Sequence, residues 1–282
     1  MKLITYDTHG TPTPGLVKDG HVLDLSGHLV HSILELIQTP DAMDRTLRAA
    51  DAFAGHGPAV SALKLLPPLP RVGKILCIGQ NYADHCREQN QPLPERPILF
   101  AKFSSCLIAC GDDIVRPDGV TQLDYEVELV VVIGKRARKV SKADALDYVA
   151  GYMAGNDVTA REVQKRDGQW VRGKSYDTFA PTGPYLVTRE EVPEPGNLNI
   201  RCRVNGELRQ DSNTRHLVFD VPTLIENLSA GITLEPGDLI FTGTPGGVGV
   251  FRKPPVFLQP GDTVECEIEG IGTLTNRVRG NP

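Results

Sequence analysis

The segment LDYEVELVVVIGKR, residues 123–136, decides how the chain is read. Val127, Leu129 and the run from Val130 to Ile133 are β-branched or apolar, and Gly134 ends them, which predicts a strand running into a basic turn. Side chains alternate between the faces of a strand, so Asp124, Glu126 and Glu128 share one face while Tyr125, Val127 and Leu129 share the other. Successive carboxylates then stand about 6–7 Å apart. At an effective dielectric of about 20, each adjacent pair repels by about 2–3 kcal/mol. Either water bathes this face or a cation sits against it.

At 282 residues the chain is long enough for one large domain, or a large domain with a small one. Its 40% hydrophobic and 23% charged residues are those of an ordinary globular protein. With 28 Gly and 22 Pro and few aromatics, a turn-rich, largely β architecture is expected. A net charge of -5 gives no footprint for nucleic acid or acidic membranes. The one dense basic run, GKRARK at 134–139, reads as a solvated turn. The first twenty residues show no apolar core of a signal peptide, and no run is long enough to span a membrane, so a cytoplasmic location is expected. Six dispersed cysteines fit free thiols in a reducing compartment. Cys106 and Cys110 lack the second pair or nearby histidine of a zinc set.

Residues 1–70 read as a small separate unit, with strands at KLITYD and GHVLDLS and helical spacing at HLVHSILELIQ (28–38) and DAMDRTLRAADAFA (41–54). Asp41 is the expected N-cap of the second helix. The proline-rich LLPPLPRVG, 65–73, marks the boundary with a second unit, 71–282. Beyond it strands dominate: KILCIG, ILFAKF, the acidic strand, YMAGNDV, a hairpin turning at Asn205-Gly206, GDLIFTG, and GDTVECEIEGIG as the closing strand. Helices are expected at QNYADHCREQN, SKADALDYVAG, TAREVQKR, and VPTLIENLSAG, the last ended by Gly231. Few, non-alternating helices among many strands predict an α+β, mainly β fold.

Three constellations carry possible chemistry. Glu126 and Glu128, joined by Asp157 at a strand-to-helix junction, offer the oxygen ligands that suit Mg²⁺, Mn²⁺ or Ca²⁺ better than zinc. A solvated strand face, with Asp157 as a helix N-cap, is the plain alternative. His85 and Glu88, three apart on a helix, share a face, so the carboxylate can orient the imidazole as a general base. An ordinary solvated helix pair explains that spacing equally well. The loop TGTPGGVGV, 242–250, follows a strand and frees backbone N–H groups to approach an anion, yet matches neither the Walker nor the Rossmann pattern. A carboxylate-binding loop and a plain turn both remain open. Lys102 and Lys174 are candidate carboxylate-binding cations.

Read in order, GQNYADHCRE, LDYEVELVVVIGK, GNDVTARE, GKSYDTFAPTGP, VNGELRQ and FTGTPGGVG resemble the fumarylacetoacetate hydrolase superfamily from about Arg71 to the end. The ending GVGVFRKPPVFLQPGDTVECEIE is similar to the domain-containing protein 2 group within it. The resemblance implies a β-roll catalytic fold, a homodimer, and Mg²⁺ or Mn²⁺ held by Glu126, Glu128 and Asp157. It matches His85 and Glu88 to the family's dyad and Lys174 to its active-site lysine. Arg161, Gln164 and Thr244 match substrate-binding positions, and Lys102 matches a substrate-facing lysine of some members. The fourth metal-ligating aspartate of fumarylacetoacetate hydrolase itself has no match here, which favours smaller acids. The implied activity is metal-dependent enolate chemistry on small 2-oxo acids, foremost oxaloacetate tautomerisation or decarboxylation. The rivals are carbon–carbon hydrolysis of acylpyruvates and a catalytically silent metal-binding scaffold. Asp124 is expected to hold a ligand or a lysine in place.

Overall fold

The strand Val127–Ile133 is buried along its whole length, as its valine-rich run predicts for a strand covered on both faces. It pairs antiparallel with Val149–Asn156 on one edge and with Leu239–Phe241 on the other. The computed structural model describes residues 1–26, 29–39, 41–53 and 55–281. Outward from the centre, the main sheet continues through Ala180–Thr188, Lys2–Thr8, Thr11–Lys18 and His21–Asp24 on one side. On the other side it ends with Ile75–Gly79 and Ile98–Lys102. A second sheet of five strands, built on the Asn199–Val204/Glu207–Asn213 hairpin, packs against it. Its turn residues Asn205 and Gly206 have φ of 52° and 78°, the left-handed pair that a type I′ turn requires.

The architecture is the expected α+β, mainly β fold, with eleven strands in the main sheet among the described residues and short helices between. The segment before residue 71 shares that sheet, because Lys2 and Leu3 pair with Val187 and Leu186. No helix among the described residues is long and apolar enough to cross a membrane.

Several local expectations are corrected. The acidic strand is interrupted at Tyr125 and Glu126: the backbone N–H groups of Tyr125, Glu126 and Val127 go to side-chain oxygens of Asp124, Asn156 and Gln210, and the ladder with Val149–Asn156 resumes at Val127. At SKADALDYVAG only the turn Ala145–Tyr148 is helical, of the 3₁₀ type, and Val149 already belongs to the next strand. Helix Val221–Gly231, by contrast, ends at Gly231 as expected, and Ile232 after it is extended. Thr263–Ile268 is not the closing strand, since Gly272–Gly280 follows and pairs with it. The two N-terminal helices form at Ile33–Gln38 and Ala42–Ala52, but Asp41 adopts φ 61° and its side chain caps nothing. His28 and Ala54, the ends of those expected stretches, lie outside the described residues, as does Pro282.

Candidate active site

The break in the acidic strand turns its carboxylates into a buried cluster. Glu126, Glu128 and Asp157 each offer an oxygen within 4.8 Å of the others. All three are buried, which removes the solvated-face alternative. Asp157 does not cap the following helix, which starts at Arg161 behind Ala160. Strands Val127–Ile133 and Val149–Asn156 fix the cluster from both sides, and the N–H of Asp157 donates to the carbonyl of Glu126.

Three buried cations answer the repulsion. Lys174 Nζ donates to Glu126 Oε2 at 2.9 Å and to Asp157 Oδ2 at 2.6 Å. Lys102 Nζ donates to Asp157 Oδ1 at 2.6 Å and to the Val158 carbonyl. Arg161 spreads its fork over Asp124 (Nε, 2.8 Å), Glu126 (Nη2, 2.6 Å) and Gln164 (Nη1, 3.2 Å). Asp124 therefore holds the arginine, not a lysine. Burial works against the Glu126 charge, but Lys174 and Arg161 outweigh it and hold its carboxyl down at about 2. Burial likewise opposes the Lys174 charge, and Asp157 and Glu126 overcome it, raising its pKa. Glu128 goes the other way: burial, then repulsion from Asp157 and Glu126, pushes its carboxyl well above the usual range. Its hydrogen-bond donor is the backbone N–H of Gly243, at 2.7 Å.

Were Asp124, Glu126, Glu128 and Asp157 all ionised against Lys102, Arg161 and Lys174, one buried negative charge would go uncompensated, and the raised Glu128 carboxyl relieves it by keeping its proton. A hard divalent cation in place of that proton fits the all-oxygen donor set.

His85 sits on the short helix Ala83–Glu88, with Nδ1 3.1 Å from Glu88 Oε2. The helix leaves no room for an idle pair, because Glu88 Oε1 accepts from Gly247 N at 2.9 Å and Phe251 packs edge-on to the imidazole at 5.9 Å. Binding Nδ1 leaves Nε2 as the free nitrogen of His85.

A cavity of about 450 Å³ joins these groups. His85, Lys174, Arg161, Gln164, Thr244, Glu126, Glu128 and Asp157 all line it. Glu88 stands behind His85. Lys102 does not line the cavity: its side chain is 0% exposed and its Nζ is held by Asp157 Oδ1 at 2.6 Å. Sequence reasoning missed Gln210, whose amide ties Val127 N to Thr244 Oγ1 and to the Pro245 carbonyl. It also missed the aromatic wall of Phe100 and Trp170. Gln210 lies within the quoted VNGELRQ motif, and only the hairpin's placement shows what it bonds.

The model of the fumarylacetoacetate (FAA) hydrolase C-terminal family matches residues 74–279. The chain belongs to the fumarylacetoacetate hydrolase family. It is a family of enzymes, and this chain is 48% identical to the oxaloacetate tautomerase FAHD2B, mitochondrial, of Bos taurus, over 92% of this chain and 84% of that protein. The bovine name gives a compartment other than the cytoplasm expected from the sequence. Among solved structures, the fumarylacetoacetate hydrolase of Exiguobacterium antarcticum is 39% identical with a TM-score of 0.85, covering all of both chains. Maleylpyruvate hydrolase of Sphingobium sp., solved with manganese(II) and pyruvate, is 30% identical with a TM-score of 0.85, again over both whole chains.

Proposed function

We propose that this family enzyme interconverts the enol and keto forms of oxaloacetate, with Glu126, Glu128 and Asp157 holding Mg²⁺ or Mn²⁺. The observation that carries the reading is the placing of a Glu88-oriented His85 on the same cavity as the carboxylate cluster. The likeness to the bovine tautomerase supplies the substrate.

When bound, the cation supplies Lewis-acid polarisation of the 2-oxo group. His85 takes the proton from the carbon beside that group through Nε2, since Glu88 fixes the hydrogen on Nδ1. Thr244 Oγ1 accepts from Gln210, which leaves its own hydroxyl hydrogen free for a substrate carboxylate. Gln164 accepts from Arg161, which leaves its amide N–H groups for the same task. The Lys174 ammonium places positive charge beside the oxygen that gains electrons. Apolar neighbours Ile78, Phe100 and Val250 limit water at the reacting carbon. Tautomerisation needs no attacking water.

Hydrolysis of acylpyruvates is the second reading, favoured by the likeness to maleylpyruvate hydrolase. There the same dyad activates a water instead of the carbon acid. In both readings the molecule works as a homodimer, and residues 1–70 are an accessory unit beside the catalytic unit 71–282.

The test is a proton NMR time course with oxaloacetate and acetylpyruvate in parallel, each with Mg²⁺ and with EDTA. Accelerated enol–keto exchange of oxaloacetate alone, lost with EDTA, is the expected result. Acetate and pyruvate from acetylpyruvate would move the assignment to the hydrolase. Metal-independent traces in both tubes would sink both readings.

A further inference from the structure

We propose that the site also tautomerises arylpyruvates, 2-oxo acids with an aromatic ring on the carbon beside the 2-oxo carbon, seating the ring on a wall of Trp170 and Phe100. This rests on the tautomerase reading and extends its substrate class.

The cavity lining has two characters: the carboxylates, Lys174 and Thr244 are polar, while Ile78, Phe100 and Trp170 are apolar. A short dicarboxylic acid has nothing apolar to set against the second group. Yet the aromatic wall is built with care. Trp170 packs edge-to-face on Phe100, with ring centroids 5.3 Å apart and planes at 71°. Its six-membered ring lies on Gly79, where a Cβ would come within 2.4 Å of Cζ3, so any side chain there would displace the indole. The wall adjoins the polar groups, since Lys174 Nζ sits 5.2 Å from the centroid of Phe100. A ligand with its 2-oxo group at the carboxylate cluster and a ring on the adjacent carbon can meet both groups at once. At about 450 Å³ the space accommodates such a ligand.

The chemistry balances without a co-reactant. In enolisation the bond from the ring-bearing carbon to hydrogen breaks, and the proton passes to His85 Nε2. The electron pair becomes the new carbon–carbon double bond, and the 2-oxo oxygen gains a proton. Ketonisation reverses each step. The ring conjugates with that double bond, which lowers the cost of the enol.

Trp170 is the single tryptophan of the chain, so its fluorescence reports on the wall directly. In the Mg²⁺-loaded protein, phenylpyruvate is expected to quench that fluorescence saturably, with oxaloacetate competing. The ultraviolet absorbance of enol-phenylpyruvate is expected to decay faster than the uncatalysed rate. Trp170→Leu should lower kcat/KM for phenylpyruvate about tenfold relative to kcat/KM for oxaloacetate, the loss expected for an aromatic contact with its burial. Equal losses on both substrates would make the wall merely structural and overturn the proposal. Wild-type turnover of oxaloacetate with none of phenylpyruvate overturns it too, and leaves the tautomerase reading standing. Failure on both substrates overturns that reading and this inference together.

Discussion

Gly247 donates its backbone N–H to Glu88 Oε1 at 2.9 Å, so the loop that reads as an anion cradle is occupied by the protein's own carboxylate. The pattern repeats along the loop. Gly243 N binds Glu128, Gly246 N binds Asp84, and Gly249 N and Val250 N both bind Asp124. One loop thus sets the positions of the dyad, the carboxylate cluster and, through Asp124, Arg161.

Gly247 has φ 102°, and a Cβ there would lie 2.2 Å from the Arg209 carbonyl oxygen. Gly247→Ala is expected to cost about 1–3 kcal/mol in urea unfolding, from backbone strain that only glycine avoids. It should also lower kcat, because Glu88 loses its donor. An unchanged unfolding midpoint would show that the loop can move away without penalty.

Removing the base should separate chemistry from metal binding. In His85→Ala, turnover is expected to fall by about 10²–10⁴, the usual weight of a general base. Divalent-cation binding measured by calorimetry should persist, because the imidazole stands outside the carboxylate cluster. Joint loss of turnover and binding would instead make His85 part of the cation site.

Lys102 is buried against Asp157, and its charge competes with a cation for that carboxylate. In Lys102→Met the metal-free protein should lose about 3 kcal/mol, as expected when a buried pair loses one member. Added Mg²⁺ should then raise its melting temperature more than it raises that of the wild type, since the cluster has gained a negative charge. A smaller Mg²⁺ shift than in the wild type would mean that Lys102 mainly aims Asp157.

Glu128 gives a pH prediction whose sign follows from its raised pKa. The unfolded chain releases that proton more readily than the folded one, so metal-free stability declines as pH rises from the ordinary carboxylate range towards the raised value. Glu128→Gln should flatten this part of the melting-temperature profile and abolish the stabilisation by Mg²⁺. A Mg²⁺ shift that survives in Glu128→Gln would remove Glu128 from the ligand set.

Glu126, on the other side, is held down at about 2, so its contribution is present above the ordinary carboxylate range and is lost only as pH falls towards that value. Acid melts between those limits should therefore show a loss of stability that Lys174→Met reduces. An acid profile unchanged by that variant would argue against the Lys174–Glu126 pair as a source of stability.

The sequence by itself determined the elements whose signal is local. Periodicity placed the strands at Ile75–Gly79 and Val127–Ile133, and Asn205-Gly206 specified its hairpin turn because only a left-handed pair fits there. Ordered motifs named the family and ten candidate residues, eight of which line one cavity. Tertiary structure decided whatever depends on partners distant in the chain. The break after Asp124 is set by amides of Asn156 and Gln210, which no local pattern announces. Whether Lys102 faces a ligand or a carboxylate depends on Asp157, 55 residues away. In sequence the glycine loop fits a carboxylate-binding loop and a plain turn alike, because local pattern does not say what its N–H groups meet. Only packing supplies the anions, and they are the side chains of Glu88, Glu128, Asp84 and Asp124.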